Sequence, residues 1–160
     1  MSSEPLATLC FRSMFTKQDG LLAFNEIQTK AAAQNPPHDL TGMLIFDGHH
    51  FLQLLEGPMD AVTLKFQSIA RDTRHGSVLP FAVRRISERG FPDWTSEWVT
   101  PETFAAAGLP PLGQLNLLSP PVHTAIRRLL KNIRAKRPYS AGTSITDENS
   151  LSARAINSAN

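Results

Sequence analysis

The stretch that decides the fold is TGMLIFDGHHFLQLLEGP, residues 41–58. It consists of two apolar runs on either side of Asp47-Gly48, a pair that supplies the positive φ angles of a tight turn between antiparallel strands. Side chains alternate along a strand, so every second residue of the second run faces the same way. Both faces of that run are apolar. The sequence therefore predicts a β-hairpin inside a sheet that is covered on both sides.

One residue of the second strand, Gln53, is polar but uncharged among apolar neighbours. A buried amide without hydrogen-bond partners costs about 1–3 kcal/mol. Taken alone, Gln53 is either exposed, or an amphipathic accident, or a core amide that bonds to something polar inside the protein. It is the first candidate functional residue.

The elements around the hairpin follow from periodicity. Apolar residues recur at helical spacing in LLAFNEIQTKAAAQ and again in MDAVTLKFQSIARD. The prolines at 36 and 37 end the first helix, and Pro80 indicates an edge strand or a bulge. Residues 6–100 thus spell βαββαβ with one further short strand: an α+β, ferredoxin-like sheet with two helices on one face. The sequence predicts strands at 6–12, 41–46, 49–57 and 77–87, helices at 21–34 and 59–72, and a turn with a last short strand within 91–100.

The C-terminal third is expected to cover the opposite face of the sheet. A short helix at 101–107 precedes a Pro/Gly-rich link and an amphipathic helix that begins near Val122. The predicted organisation is a domain at 5–100, a helical cap at 101–137 and a disordered tail at 138–160 that has little to bury.

Composition excludes several classes of protein. The single cysteine, Cys10, excludes an internal disulfide, and no apolar run reaches the length of a membrane span. Together with the lack of a secretory signal pattern, this predicts a cytoplasmic protein. Residues 1–100 carry 9 basic and 11 acidic side chains, whereas residues 101–160 carry 7 and 3. The basic excess is typical of a solvated helix face, and it would also suit an acidic partner, a membrane surface or nucleic acid.

The segments QNPPHDLTGMLIFDGHHFLQLLEGP, RDTRH and ERGFPDW, in this order and spacing, resemble the BLUF family of flavin-binding blue-light sensors over about residues 6–98. The resemblance implies a flavin, usually FAD, between the two helices; FMN or riboflavin would also suit such a site. The side chains that it assigns to flavin binding are Ile27, Gln34, Asn35, Gln53, Arg74 and His75. Amides suit the edge of the flavin ring because they donate and accept hydrogen bonds at once.

Simpler interpretations of these residues stay open at the level of sequence. Asn35 before two prolines is also typical of a helix C-cap. Arg74 and His75 also suit a solvated loop after the second helix.

The chain departs from the family pattern where the photochemistry is expected. The resemblance implies a tyrosine beside Gln53 on the first strand, from which light drives electron and proton transfer to the flavin. Phe11 stands at that position, and a phenyl ring has no hydroxyl to donate. Trp94 matches the family tryptophan, but Ser96 replaces the usual methionine. Ser68 stands where some relatives place a basic residue near the flavin phosphate.

The resulting hypothesis is a short BLUF protein without enzymatic activity that signals to a downstream protein partner, or through a homo-oligomer. The alternative is a light-insensitive relative that binds flavin constitutively or acts as an interaction module. A ferredoxin-like acyl phosphate hydrolase would need a glycine-rich anion loop, which the chain lacks. A nucleic-acid module at 125–137 would need interleaved aromatic residues, which that segment also lacks.

Overall fold

The computed structural model of the protein describes residues 4–115 and 119–136. The tail predicted at 138–160, which contains Tyr139, lies outside the described residues. The structure contains one five-stranded sheet in the order β4-β1-β3-β2-β5. Its strands are β1 (Leu6–Phe15), β2 (Thr41–Phe46), β3 (His50–Pro58), β4 (His75–Ile86) and β5 (Trp94–Trp98). Neighbouring strands are antiparallel except β2 and β5, which are parallel.

Within residues 4–115 and 119–136, four α-helices accompany the sheet: α1 (Gly20–Gln34), α2 (Met59–Ala70), α3 (Pro101–Ala106) and α4 (Pro120–Lys136). Asp19 caps α1, since its carboxylate accepts a hydrogen bond from the Leu22 amide at 2.9 Å. The prolines at 36 and 37 end α1 as predicted, and they continue as a short 3₁₀ turn. Among the described residues, no helix combines the length and apolarity needed to cross a membrane.

The predicted ferredoxin-like plan is confirmed, and the two faces of the sheet have separate cores. On one face, residues of β1, β2 and β3 pack against α1 and α2. On the other face, residues of β2 and β3 pack against α3, a 3₁₀ turn at Leu112–Gln114 and α4. The two faces of β3 are therefore both covered, which is what its double apolar pattern requires.

Two sequence features fix the sheet locally. Gly42 of β2 has a φ of +140°, and a Cβ there would lie 1.9 Å from the Leu54 carbonyl oxygen on β3, so only glycine fits. Beside Pro80, the register between β1 and β4 shifts between Cys10 and Phe11. This is the bulge on an edge strand that the proline indicated.

β4 begins at His75, two residues earlier than expected, so His75 belongs to the sheet.

Candidate functional site

Gln53 lies at the centre of β3 on the face that packs against α1 and α2. It is 2% exposed, and its neighbours across the sheet are Phe11 on β1 and Leu44 on β2. Directly opposite residues of antiparallel strands point to the same face. The Gln53 side chain has no hydrogen bond to any residue that the structure describes. The interpretation of Gln53 as a core amide bonded to protein backbone is thus excluded within these residues.

A cavity of about 40 Å³ lies between α1 and α2 and reaches Gln53. Its walls come from both helices and from the start of β4. The lining residues are Ile27, Lys30, Ala31, Gln53, Lys65, Ser68, Ile69, Asp72, Arg74 and His75. Sites for drug-sized ligands have volumes of about 300–1,000 Å³. In this conformation the cleft is smaller than such sites.

Asn35, the residue after α1, is fully buried, and neither polar atom of its side chain has a hydrogen-bond partner. Its backbone N–H donates to the Ala31 carbonyl, and its carbonyl accepts from the amides of His38 and Leu40. The backbone thus completes the C-cap, while the side-chain amide contributes nothing to it. An orphaned buried amide costs about 1–3 kcal/mol, so the Asn35 side chain adds nothing to the stability of the helix end.

Gln34 does not share this environment. It is exposed and is not part of the cavity wall. Of the six side chains that the resemblance assigns to flavin binding, the structure brings four together around the cavity: Ile27, Gln53, Arg74 and His75.

Arg74 lines the cleft and forms ion pairs with Glu26 and Asp72. Its Nε donates to both carboxylate oxygens of Asp72 at 3.0 and 3.1 Å, and its Nη1 lies 3.3 Å from Glu26 on α1. The hydrogen bond from Arg74 lowers the pKa of Asp72 to about 2. The same pairing raises the pKa of Arg74. Arg74 thus links α1 to the loop after α2, which does not fit the interpretation of a solvated loop.

His75 is buried behind this ion pair. Its Nδ1 lies 2.7 Å from the Ser13 hydroxyl of β1, and its ring centroid lies 4.6 Å from that of Phe51. Burial lowers the pKa of His75 to about 4, although the neighbouring Asp72 acts in the opposite direction. The imidazole is therefore neutral near pH 7 and can accept or donate one hydrogen bond within the cleft.

Two lysines face the cleft, and sequence analysis missed both. Lys30 lies on α1 and Lys65 on α2, and both line the cavity with Ser68. Burial lowers the pKa of Lys65, and the positive charge of Lys30 lowers it further. An anion between the two helices would relieve this repulsion. A search for basic residues one turn from Ser68 would have found Lys65.

Phe11 and Trp94 frame the sheet side of the site. Phe11 is fully buried and packs edge-to-face on Phe66 of α2, with a centroid distance of 5.2 Å. Trp94 packs against the two apolar clusters that lie between the sheet and helices α1 and α2. Its indole Nε1 donates to the Ser96 hydroxyl at 2.9 Å. Ser96, which replaces the family methionine, therefore holds the indole by a hydrogen bond.

A second buried polar residue of β3 was missed by the sequence analysis. The Glu56 carboxylate accepts hydrogen bonds from the Gly90 and Phe91 amides at 3.1 and 2.8 Å. Nearby, Arg89 donates to the carbonyls of Glu56 and Asp39. The argument used for Gln53 applies to Glu56 as well, since a carboxylate in an apolar strand needs buried donors.

Comparison with known proteins gives a family match over residues 6–97, to the model "BLUF: Sensors of blue-light using FAD". The "Blue light- and temperature-regulated antirepressor BluF" of Escherichia coli (strain K12) is 36% identical over 74 residues, which cover 46% of this chain and 18% of that protein. "Photoactivated adenylate cyclase subunit beta" of Euglena longa is 29% identical over 139 residues, covering 86% of this chain and 15% of that protein. This chain thus spans less than a fifth of the length of either relative.

Two solved structures are similar over most of the described fold. The dark-state structure of BlrB, a BLUF protein, matches with a TM-score of 0.69 at 30% identity, covering 81% of this chain and 98% of that one. The ground-state structure of BlsA matches with a TM-score of 0.66 at 25% identity, covering 78% and 87% respectively.

Proposed function

Because the chain belongs to the BLUF family of blue-light sensors that use FAD, we propose that it is a regulatory module with FAD bound in the cleft between α1 and α2. The observation that carries the proposal is a pair of buried amides without partners among the described residues: Gln53 in the wall of the cavity, and Asn35 just after α1, outside its lining residues. Asn35 has two orphaned polar atoms, and Gln53 has no hydrogen bond to the described protein. The carbonyls and nitrogens of a flavin edge supply the acceptors and donors that both amides need.

The other cleft residues suit the remaining parts of the cofactor. Ile27 provides an apolar surface for the ring, while Lys30 and Lys65 suit the negative charge of phosphates. Two facing cations favour FAD, which has a pyrophosphate, over riboflavin, which has none. They also take over the role expected of a basic residue at Ser68. Arg74 and His75 would hold the cofactor at the end of the cleft nearest β4.

A bound flavin would absorb blue light and take up an electron. The contribution of the chain is the environment of that flavin. Gln53 can exchange the donor and acceptor ends of its amide by rotation, because no described residue holds it in one orientation. Trp94 would respond to changes on this face of the sheet. Its ring packs on the apolar clusters beneath α1 and α2, and its indole donates a hydrogen bond to Ser96. The output is regulatory and passes to a partner protein or a second copy of the chain.

A second candidate function is light-insensitive flavin binding, and Phe11 favours it. Phe11 occupies the position opposite Gln53 in the register of β1 and β3, and it has no hydroxyl to donate a proton or orient the amide. Absorption spectra of the flavin-loaded protein before and after blue light separate the two functions. A reversible red shift supports the sensor, and an unchanged flavin spectrum supports the light-insensitive module.

The flavin site itself is tested by Asn35→Leu, because the proposal requires two opposite effects. Removing an orphaned buried amide stabilises the flavin-free protein, by about 1–3 kcal/mol in urea unfolding. The same change weakens FAD binding in a fluorescence titration, by about tenfold for one lost ligand hydrogen bond. Gln67→Leu, at an exposed amide of α2, is the matched control and leaves FAD affinity unchanged. Unaltered FAD affinity in Asn35→Leu would overturn the assignment.

A further inference from the structure

A second and larger concavity lies on the opposite side of the sheet from the flavin cleft. It has a volume of about 670 Å³ and separates α4 from the loop between β4 and β5. One wall is the loop at 90–93. The other wall is the side of α4 that presents four basic side chains, those of Arg127, Arg128, Lys131 and Arg134. We call this concavity the α4 groove.

The charge of the α4 groove is unbalanced. All four basic side chains are exposed, and none forms an ion pair with a residue that the structure describes. Asp93 is the acidic residue among those that line the groove. Arg127 and Arg134 are seven residues apart, about 10 Å along the helix axis. The groove thus presents a row of unpaired positive charge over the length of several residues of an extended or helical peptide.

The hydrogen-bond donors of the groove indicate what kind of anion it suits. Compact phosphate sites are commonly built from backbone N–H groups. Here the amides of Gly90 and Phe91 already donate to Glu56 on β3. The remaining side-chain donors are the hydroxyls of Thr95 and Thr124 and the ends of the four basic side chains of α4. Long, adaptable basic side chains along one helix suit a series of carboxylates better than one buried phosphate.

Two other occupants fit less well. Single-stranded nucleic acid needs exposed aromatic faces for stacking. Phe91 is buried, and its ring centroid lies 6.0 Å from the Arg127 guanidinium carbon and 6.3 Å from the His123 ring centroid. A membrane-binding helix needs an exposed apolar face. The apolar residues of α4, among them Ile126 and Leu130, are buried against the sheet.

We propose that the α4 groove docks an acidic segment of a partner protein. This inference rests on the regulatory function proposed above for its biological meaning, since it names the output surface of that module. The loop at 90–93 connects directly to Trp94 and is held by Glu56, three residues from Gln53 on β3. The occupant of the groove therefore contacts a loop that directly precedes Trp94 in sequence and is hydrogen-bonded to Glu56 on β3, the strand that carries Gln53.

The test uses a fluorescein-labelled peptide of about ten glutamates and the full chain, with fluorescence anisotropy as the readout. We expect binding that weakens steeply between about 20 and 200 mM salt. Lys131→Gln/Arg134→Gln weakens it by about threefold per charge, hence about tenfold. Lys17→Gln/Arg71→Gln is the matched control, because it removes the same charge at exposed positions outside the groove. It changes peptide affinity by less than about twofold.

Each alternative outcome overturns a defined part of the inference. Equal weakening in both double variants means that net charge, and not the groove, binds the peptide. Tighter binding of an oligothymidylate of equal charge, or of phosphatidylserine vesicles, with the same loss in the groove variant, replaces the acidic peptide by nucleic acid or membrane. A light-induced spectral shift without peptide binding refutes the docking of an acidic segment in the α4 groove and supports the proposed sensor function. If the chain binds the peptide but binds no flavin, the proposed sensor function is refuted and the docking proposal stands.

Discussion

Phe11→Tyr restores the phenol that the family pattern places beside Gln53, and its energetic effect can be worked out from the structure. Phe11 is fully buried, so a new hydroxyl costs about 1–3 kcal/mol of stability if it finds no partner. Gln53 lies directly opposite in the strand register and on the same face, and its side chain has no hydrogen bond to a described residue. A hydrogen bond between the two contributes about 0.5–1.5 kcal/mol and gives both groups a partner.

The interaction is isolated by a double-mutant cycle in urea unfolding. Phe11→Tyr, Gln53→Leu and the combined variant should give a coupling free energy of about 1 kcal/mol. Phe66→Tyr, which adds a hydroxyl to the same aromatic pair, is the control and should show no coupling to Gln53. A coupling near zero for Phe11→Tyr would refute the inference that position 11 faces the Gln53 amide.

The same variant tests the photochemistry. Flavin-loaded Phe11→Tyr should shift its absorption reversibly to the red under blue light, by more than the natural chain does. If the coupling is present and flavin is bound but illumination leaves the spectrum unchanged, the phenol is not the missing component of the photocycle. The reasoning from Phe11 to light insensitivity would then be wrong.

Three further predictions concern two parts of the protein: the cleft between α1 and α2, and the hydrogen bonds from Glu56 to the loop at 90–93. Lys30→Gln/Lys65→Gln should weaken FAD binding by about tenfold and leave riboflavin binding within about twofold, as measured by titration; equal losses would show that the lysines do not contact phosphates. The folded-state pKa of His75, about 4, lies below its ordinary 6.5. Protonation therefore favours the unfolded chain, and its contribution to stability, present above pH 6.5, is lost as the pH falls towards 4. The loss between pH 7 and 5 should be about 2 kcal/mol in urea unfolding and absent in His75→Gln; an equal loss in the variant would contradict it. Glu56→Gln should cost about 1–3 kcal/mol, and the exposed control Glu88→Gln less than about 0.5; equal costs would show that the Glu56 bonds to the loop are unimportant.

Much of the fold could be predicted because local and long-range signals agree. The Asp47-Gly48 turn, the prolines after α1 and the doubly apolar β3 each specify one arrangement of their neighbours. The start of β4 was harder to predict. His75 follows a polar loop, and its place in the strand depends on a pairing with Phe15 on β1 that no local pattern encodes.

The site was predictable only where a residue was out of place in its own segment. Gln53 is a polar residue in an apolar strand, and the structure confirms that it is buried. Asn35 precedes two prolines, and only the structure shows that its backbone completes the cap while its side chain does not. Lys30 and Lys65 look like ordinary exposed residues of two separate helices. Their relation appears only when the sheet brings α1 and α2 together.

β3 explains how the two sides of the protein can respond to each other. Gln53 and Glu56 are three residues apart, about 10 Å along the strand, and odd spacing places them on opposite faces. Gln53 faces α1 and α2. Glu56 faces the other side, where its carboxylate accepts hydrogen bonds from the loop that forms one wall of the α4 groove. β3 is paired with a strand on each side, so we do not expect it to shift as a whole. A change at Gln53 would have to reach the α4 groove by another route. The residues before Trp94 form that same wall, so Trp94 is the point at which the flavin side of the sheet meets the α4 groove. Its indole is held there by the hydrogen bond to the Ser96 hydroxyl.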